Sequence, residues 1–139
     1  MNNTEENTKK ILLVEDDANI AKALAIRLKH HGYVTSVASD AVTAVEMAVK
    51  TEPDLALLDI SIPAGNGFTV AERIQSLLPK STPLIFLTAS KKPGLRKKAQ
   101  ELGAAAFFQK PYDAANVLEA VKIALGGSKL LPEPAVYVI

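Results

Sequence analysis

Five short strand-like runs alternate with five segments of helical period along this chain, and this alternation constrains the fold more than any other feature. The predicted strands occupy residues 11–14, 33–38, 55–58, 84–87 and 105–108. The predicted helices occupy residues 18–30, 41–51, 68–78, 93–102 and 114–125. Each right-handed crossover between parallel strands needs a helix to return the chain. The pattern therefore predicts an α/β fold, a doubly wound five-stranded parallel sheet with helices on both faces.

Helix boundaries and buried faces follow from individual residues. Asp40 and Asp113 immediately precede helical segments and are predicted N-caps, and we interpret Asp17 as an N-cap rather than a metal ligand. In the second and third helices, the apolar spacing predicts that Val49 and Leu77 point inward with their neighbours. These helices should therefore cover both faces of the sheet with apolar side chains.

Polar side chains follow four of the predicted strands where each strand ends. Asp59 ends the apolar run 55–58, Glu15-Asp16-Asp17 follows the first strand, Thr88 follows the fourth, and Gln109-Lys110 follows the fifth. Ligands of such sheets bind outside the carboxyl ends of the strands. We therefore expect these side chains to converge, although they span almost the whole chain.

Carboxylates that lie close together need something to offset the repulsion between their negative charges. Two ionised carboxylates about 4 Å apart repel by roughly 4 kcal/mol at an effective dielectric constant of about 20. Glu15, Asp16 and Asp59 therefore need raised pKa values or a cation, and an all-oxygen ligand set favours Mg²⁺. An aspartate beside such an ion is a competent nucleophile toward phosphorus. Lys110 and Thr88 have the charge and the hydroxyl that an incoming phosphoryl group needs, so the residues predict a Mg²⁺-dependent phosphoacceptor.

Composition limits the remaining classes of protein. The 139 residues include 48% hydrophobic and 22% charged residues, which is ordinary for one globular domain. The chain has no cysteine, no apolar stretch of membrane-spanning length and no secretory signal at its start, and its net charge is +1. We therefore expect a cytoplasmic protein that binds neither membrane nor nucleic acid directly.

These residues resemble the receiver domain of two-component response regulators over about residues 9–125. The resemblance is carried by Val14-Glu15-Asp16-Asp17, by the loop from Asp59 to Gly67 with its Pro63, by Thr88-Ala89, and by Gly103-Ala104 through Phe107 to Lys110-Pro111. It implies a flavodoxin-like sheet with strand order 2-1-3-4-5. It also implies a cis peptide bond after Lys110. The protein would then be a phosphorylation-dependent switch rather than a classical turnover enzyme.

The resemblance assigns roles to the residues at the strand ends. Asp59 would be phosphorylated by a sensor histidine kinase or a histidine phosphotransfer protein. Mg²⁺, or Mn²⁺ in its place, would be held by Asp16, Asp59 and the backbone carbonyl of Ser61, with Glu15 acting through water. Lys110 would pair with the phosphoryl group.

The resemblance also implies how the switch operates. Thr88 would move toward the phosphoryl group together with Phe107, which could equally be an ordinary apolar strand residue. The face formed by helix 4, strand 5 and helix 5 would bind an output protein. Ser61 and Ser90, two residues after Asp59 and Thr88, would influence the lifetime of the phosphoryl group.

Some features depart from the family pattern or allow other interpretations. Ala105 and Ala106 replace two acids that family members with winged-helix domains use for dimerisation, so that dimer is not expected. Residues 1–8 are predicted to be disordered. Residues 126–139 form a tail or a truncated linker, whose apolar end at 135–139 is expected to dock on this domain or a neighbour.

Two clusters of charged or titratable residues also have simple explanations. The cations Lys91, Lys92, Arg96, Lys97 and Lys98 favour a solvated helical face over a patch for an anionic partner. His30-His31 at a helix end is not expected to bind metal.

Two other function classes stay open. A degenerate receiver would act only as a constitutive docking module, but such domains usually lose the acceptor, an acidic partner or the lysine, all of which are present here. A phosphatase of the haloacid dehalogenase kind would carry Asp-x-Asp after strand one, where this chain has Glu15-x-Asp17.

Overall fold

A computed structural model describes residues 8–127 and contains five strands and five helices in strict alternation. The strands are β1 (Lys10–Val14), β2 (Val34–Ala38), β3 (Leu55–Asp59), β4 (Leu84–Thr88) and β5 (Ala106–Gln109). The helices are α1 (Ala18–His30), α2 (Ala41–Thr51), α3 (Gly67–Leu77), α4 (Leu95–Glu101) and α5 (Ala114–Lys122), and a π-helical turn (Ile123–Gly127) follows α5. All strand pairs are parallel, in the order β2-β1-β3-β4-β5. The predicted fold class and strand order are confirmed.

The sheet separates two apolar layers because side chains alternate along each strand. In β4, Leu84 and Phe86 enter one layer, whereas Ile85 and Leu87 enter the other. The first layer is covered by α2, α3 and α4, and the second is covered by α1 and α5. Strands β3 and β4 are buried along their whole length, and this burial explains their lack of internal polar residues.

Side-chain caps begin four of the five helices. The carboxylate of Asp17 accepts hydrogen bonds from the backbone of Asn19 and Ile20, so its predicted role as an N-cap is confirmed. Asp40 and Asp113 cap α2 and α5, also as predicted. Asn66 forms a capping box with Thr69 at the start of α3, which the sequence analysis missed.

Some predicted details differ from the structure. Val49 and Leu77 are 49% and 47% exposed, so their predicted inward orientation is wrong. On α2 the buried stripe consists of Ala41, Ala44 and Ala48, and Val49 lies one residue further round the helix. Helix α4 begins at Leu95 rather than residue 93 because Gly94 adopts φ of 88°.

The described residues include most of the predicted domain. Helix α5 ends at Lys122 rather than at the predicted residue 125, because the π-helical turn begins at Ile123. The predicted disordered start, apart from Thr8, and the apolar end at 135–139 lie outside the described residues. None of the helices within residues 8–127 has the length and apolar character that crossing a bilayer requires.

Candidate functional site at the carboxyl ends of the strands

The predicted convergence of polar side chains is present at the carboxyl edge of the sheet. Carboxylate oxygens of Glu15, Asp16 and Asp59 all lie within 4.8 Å of one another. Glu15 and Asp59 are buried, with 2% and 3% of their surface exposed, whereas Asp16 faces solvent. The strand order explains this proximity because β1 and β3 are neighbours in the sheet. Two buried acids and one accessible acid therefore share one small volume.

Lys110 ties this acidic cluster to the end of β5. Its ammonium donates hydrogen bonds to Oε1 of Glu15 at 2.9 Å and to Oδ2 of Asp59 at 3.0 Å. The Lys110–Pro111 peptide bond is cis, as the resemblance implied. One ammonium thus contacts two carboxylates, at the ends of β1 and β3, while the third carboxylate of the cluster, that of Asp16, makes no ion pair with it.

The titration of the cluster reflects its burial. Burial raises the pKa of Glu15 to about 7, with Asp59 adding to the effect and Lys110 opposing it. For Lys110, burial alone would lower the pKa, but the two carboxylates outweigh that effect and raise it. The ammonium is therefore held in its charged form. The carboxylates carry more negative charge than Lys110 neutralises, which is the condition that a divalent cation relieves.

The Asp59 side chain is fixed from the loop that follows it. Its Oδ1 accepts a hydrogen bond from the backbone N–H of Ser61 at 3.1 Å. Gly67 packs so tightly on this strand end that a Cβ there would lie 2.5 Å from the backbone oxygen of Asp59. Glycine is therefore required at residue 67 for a steric reason. The sequence pattern of the loop indicated a glycine at residue 67, but it did not predict that this glycine packs against the backbone of Asp59.

Thr88 is fully buried and connects the fourth strand to the site. Its hydroxyl accepts a hydrogen bond from the backbone of Ser90 at 3.0 Å, and its carbonyl accepts one from the backbone of Lys110 at 2.7 Å. The carbonyl of Ser90 accepts a hydrogen bond from the amide of Gln109 at 3.3 Å. Sequence reasoning missed this role of Gln109, whose only signal was its place before Lys110.

Two clefts open beside the cluster. One, of about 520 Å³, is lined by Asp16, Ser61, Ser90 and Lys92 together with the loop after Asp59. The other, of about 500 Å³, is mainly apolar and runs between α1 and the segment after β5, with Ile20, Leu24, Pro111 and Tyr112 among its lining residues and Lys110 at its edge. The first cleft therefore exposes the acidic cluster at Asp16, whereas the second reaches only Lys110.

Phe107 occupies the position that the resemblance assigned to a switch. Its side chain is 4% exposed and belongs to the layer covered by α2, α3 and α4. It also borders a small pocket of about 170 Å³ with Ser90, Arg96 and Gln109. Phe107 is thus a core residue with one edge toward the segment that follows Thr88.

The donor set fits a hard divalent cation. It consists of the carboxylates of Glu15, Asp16 and Asp59, with no histidine or cysteine in the cluster. Asp16 is exposed and shares its cleft with Ser61, so an ion could enter from solvent without crossing the core. These observations agree with the predicted preference for Mg²⁺.

Comparison with known proteins agrees with this geometry. A family model described as "Response regulator receiver domain" matches residues 11–122. Over 113 residues the chain is 36% identical to the transcriptional activator protein IrlR of Burkholderia pseudomallei, covering 81% of this chain and 48% of IrlR. It is 33% identical to the sporulation initiation phosphotransferase F of Bacillus subtilis, covering 81% of this chain and 90% of that protein.

A solved structure of a receiver domain is also similar to this chain. The non-phosphorylated HemR receiver domain of Leptospira biflexa is 33% identical and superposes with a TM-score of 0.79, covering 90% of this chain and 100% of that one. The chain spans about half the length of several curated relatives, including IrlR.

Proposed function

Because this chain belongs to the response regulator receiver domain family, we propose that it is a signalling switch operated by phosphorylation of Asp59. The observation that carries the proposal is the contact of one ammonium, that of Lys110, with two buried carboxylates, those of Asp59 and Glu15. Burying three charged groups together is expensive unless they have partners. A phosphoryl group and a divalent cation are the partners that complete this set of charges.

Asp59 is the phosphoacceptor in this proposal. A carboxylate oxygen of Asp59 attacks the phosphorus atom of a phospho-histidine, the new O–P bond forms, and the P–N bond breaks with its electron pair returning to the imidazole nitrogen. Hydrogen bonds from Lys110 and from the Ser61 backbone hold the carboxylate in place before the reaction.

Three side chains and one carbonyl would hold the cation. Asp16, Asp59 and the carbonyl of Ser61 would bind Mg²⁺ or Mn²⁺ directly, and Glu15 would act through water. When bound, the ion would neutralise charge that develops on the phosphoryl oxygens. Support comes from the proximity of the three carboxylates and from the position of Ser61 in the same cleft as Asp16.

Phosphorylation would alter the contacts of Thr88 and Lys110. The phosphoryl group adds about −1.5 to −2 charges and new acceptor oxygens at neutral pH. Lys110 would follow this charge, and the Thr88 hydroxyl would donate to a phosphoryl oxygen. Ser90 and Gln109 would then move with Thr88, and so would Phe107, which borders the same small pocket.

The partners of the switch would approach from different sides. The apolar cleft would receive a histidine kinase or a histidine phosphotransfer protein, because Lys110 at its edge contacts Asp59. The face formed by α4, β5 and α5 would bind an output protein. Ser61 and Ser90 would set the lifetime of the phosphoryl group, because both line the cleft from which water reaches Asp59. A cytoplasmic location, expected from the sequence, is part of the proposal.

Intact mass after incubation with acetyl phosphate tests the function. Wild-type protein with Mg²⁺ should gain one phosphoryl group, whereas Asp59→Asn and a sample in EDTA should gain none. Glu119→Gln serves as the matched control because Glu119 is exposed on α5 and its loss changes the charge equally. If wild-type protein gains no mass under any condition, the chain is a constitutive docking module instead.

A further inference from the structure

Five exposed cations beside the site form what we call the basic surface: Lys91, Lys92, Arg96, Lys97 and Lys98. They lie on the segment after β4 and on α4, within eight consecutive residues. No acidic residue occurs from Thr88 to Gln100. The one carboxylate of this segment is that of Glu101, exposed at the end of α4 one turn after Lys97 and Lys98, so five cations face a single acid.

The described residues, 8–127, show no ion pair within 4 Å between these cations and an acidic side chain. The ammonium of Lys98 instead lies over the ring of Phe68, 5.0 Å from its centroid. A helical face that is only solvated commonly mixes charges of both signs. This surface carries five cations and, at the end of α4, one acid that pairs with none of them, and this excess of positive charge adds weight to the anionic-partner interpretation.

The basic surface adjoins both the acidic cleft and the proposed switch residue. Lys92 and Leu95 line the same cleft as Asp16 and Ser61. Arg96 borders the small pocket that contains an edge of Phe107. A partner bound here would therefore touch the segment whose position depends on Thr88.

The charge of the rest of the chain limits the size of that partner. Removing the five cations from the 16 lysines and arginines leaves 11, against 15 aspartates and glutamates, for a net charge of −4. A long polyanion such as duplex nucleic acid would extend past the basic surface, beyond a screening length of about 10 Å, and would gain no further net positive charge from the rest of the chain. A short acidic segment of a protein matches the extent of the basic surface.

We propose that the basic surface binds an acidic protein segment, namely the part of the output protein that recognises this domain. The proposal rests on the proposed function and specifies the chemistry of its partner. Carboxylates of the segment pair with Arg96 and the lysines around it. Apolar side chains of the segment pack at the edge of the small pocket beside Phe107.

Fluorescence anisotropy with a defined probe tests this proposal. The probe is a short labelled peptide of glutamates interspersed with leucines, and the same peptide with glutamines is its control. The triple variant Lys91→Gln, Arg96→Gln, Lys97→Gln should bind the acidic peptide about tenfold more weakly than wild type. Added salt should weaken wild-type binding strongly and binding by the variant much less.

A second triple variant, Lys29→Gln, Lys50→Gln, Lys122→Gln, removes the same charge from the last turns of α1, α2 and α5. It should keep the affinity of wild type. Equal losses in both variants would mean that net charge alone attracts the peptide, and would overturn the proposal. So would a lack of binding by wild type, or tighter binding of a single-stranded DNA oligonucleotide of equal charge.

Phosphorylation of wild-type protein is measured separately by intact mass. Protein that gains a phosphoryl group but does not bind the acidic peptide contradicts only the proposal about the basic surface. Protein that binds the peptide without gaining a phosphoryl group contradicts only the proposed function. Thermal unfolding monitored by circular dichroism verifies that both triple variants are folded.

Discussion

The ammonium of Lys110 lies 3.0 Å from Oδ2 of Asp59, although 51 residues of sequence separate the two. The strand order accounts for this contact. Strand β3 ends at Asp59, β5 ends one residue before Lys110, and β4 alone separates β3 from β5 in the sheet. The contact also places a charged donor where the proposed chemistry needs one. Substituting Lys110 should therefore affect both stability and phosphorylation.

Lys110→Met should lower the free energy of unfolding in EDTA by about 3 kcal/mol, because it leaves the buried carboxylates of Glu15 and Asp59 without their cation. Urea denaturation measures this change. Mg²⁺ should restore part of the lost stability, since it supplies another cation. Lys122→Met, on the exposed side of α5, is the control, and an equal loss in that variant would contradict the argument.

The stability of the metal-free protein should fall as pH rises from about 5 to 7. Burial raises the pKa of Glu15 from 4.5 to about 7, so the folded state binds more protons than the unfolded state in this range. Stability therefore decreases with pH through that window. Urea titrations in EDTA at several pH values measure the slope, and Glu15→Gln should flatten it. An unchanged slope in the variant would assign the effect to another group.

Gly67→Ala should slow phosphorylation by acetyl phosphate, because the added Cβ would collide with the backbone oxygen of Asp59 at 2.5 Å. Overpacking of this kind costs about 1–3 kcal/mol of stability. Gly103→Ala is the matched control. It meets no atom within 4 Å, but it is strained by φ of 79°. Its initial rate should match wild type, and equal slowing in both variants would attribute the effect to general destabilisation.

Gln109→Leu should shorten the lifetime of the phosphorylated protein. The variant removes the hydrogen bond that holds the carbonyl of Ser90, and a looser Ser90 segment admits water to the cleft more readily. Decay of the phosphorylated mass after removal of acetyl phosphate measures the lifetime. Gln100→Leu changes an exposed glutamine on α4 and should leave the decay unaltered. A lifetime equal to wild type in Gln109→Leu would exclude this role.

Alternation of apolar runs and helical segments predicted the sheet because both signals are local in the sequence. The end of each strand could be located for the same reason, and the parallel topology then brought Glu15, Asp59 and Lys110 to one edge. Sequence periodicity did not predict the exposure of Val49, because a stripe of small alanines on α2 already fills the space against α3. For an apolar residue at the border of such a stripe, the neighbouring sequence does not predict whether the side chain is buried or exposed.

The contacts of Gln109 and Gly67 could not be predicted for a different reason. Each depends on the distance between two segments far apart in sequence, such as the approach of Gln109 to Ser90 across 19 residues. Composition and spacing contain no measure of that distance. A polar residue at the end of a strand is consistent with many contacts, and only the packed structure selects one of them.

The separation of the core into two layers has a consequence for how this domain could change. The apolar cleft lies with α1 and α5 on one side of the sheet, whereas the basic surface lies on α4 on the other. Alternate side chains of the shared strands supply the two layers, so the side chains that pack beneath the cleft are not those that pack beneath the basic surface. In the proposed switch, affinity for a phosphodonor and affinity for an acidic output partner therefore depend on different layers and can be altered by different mutations.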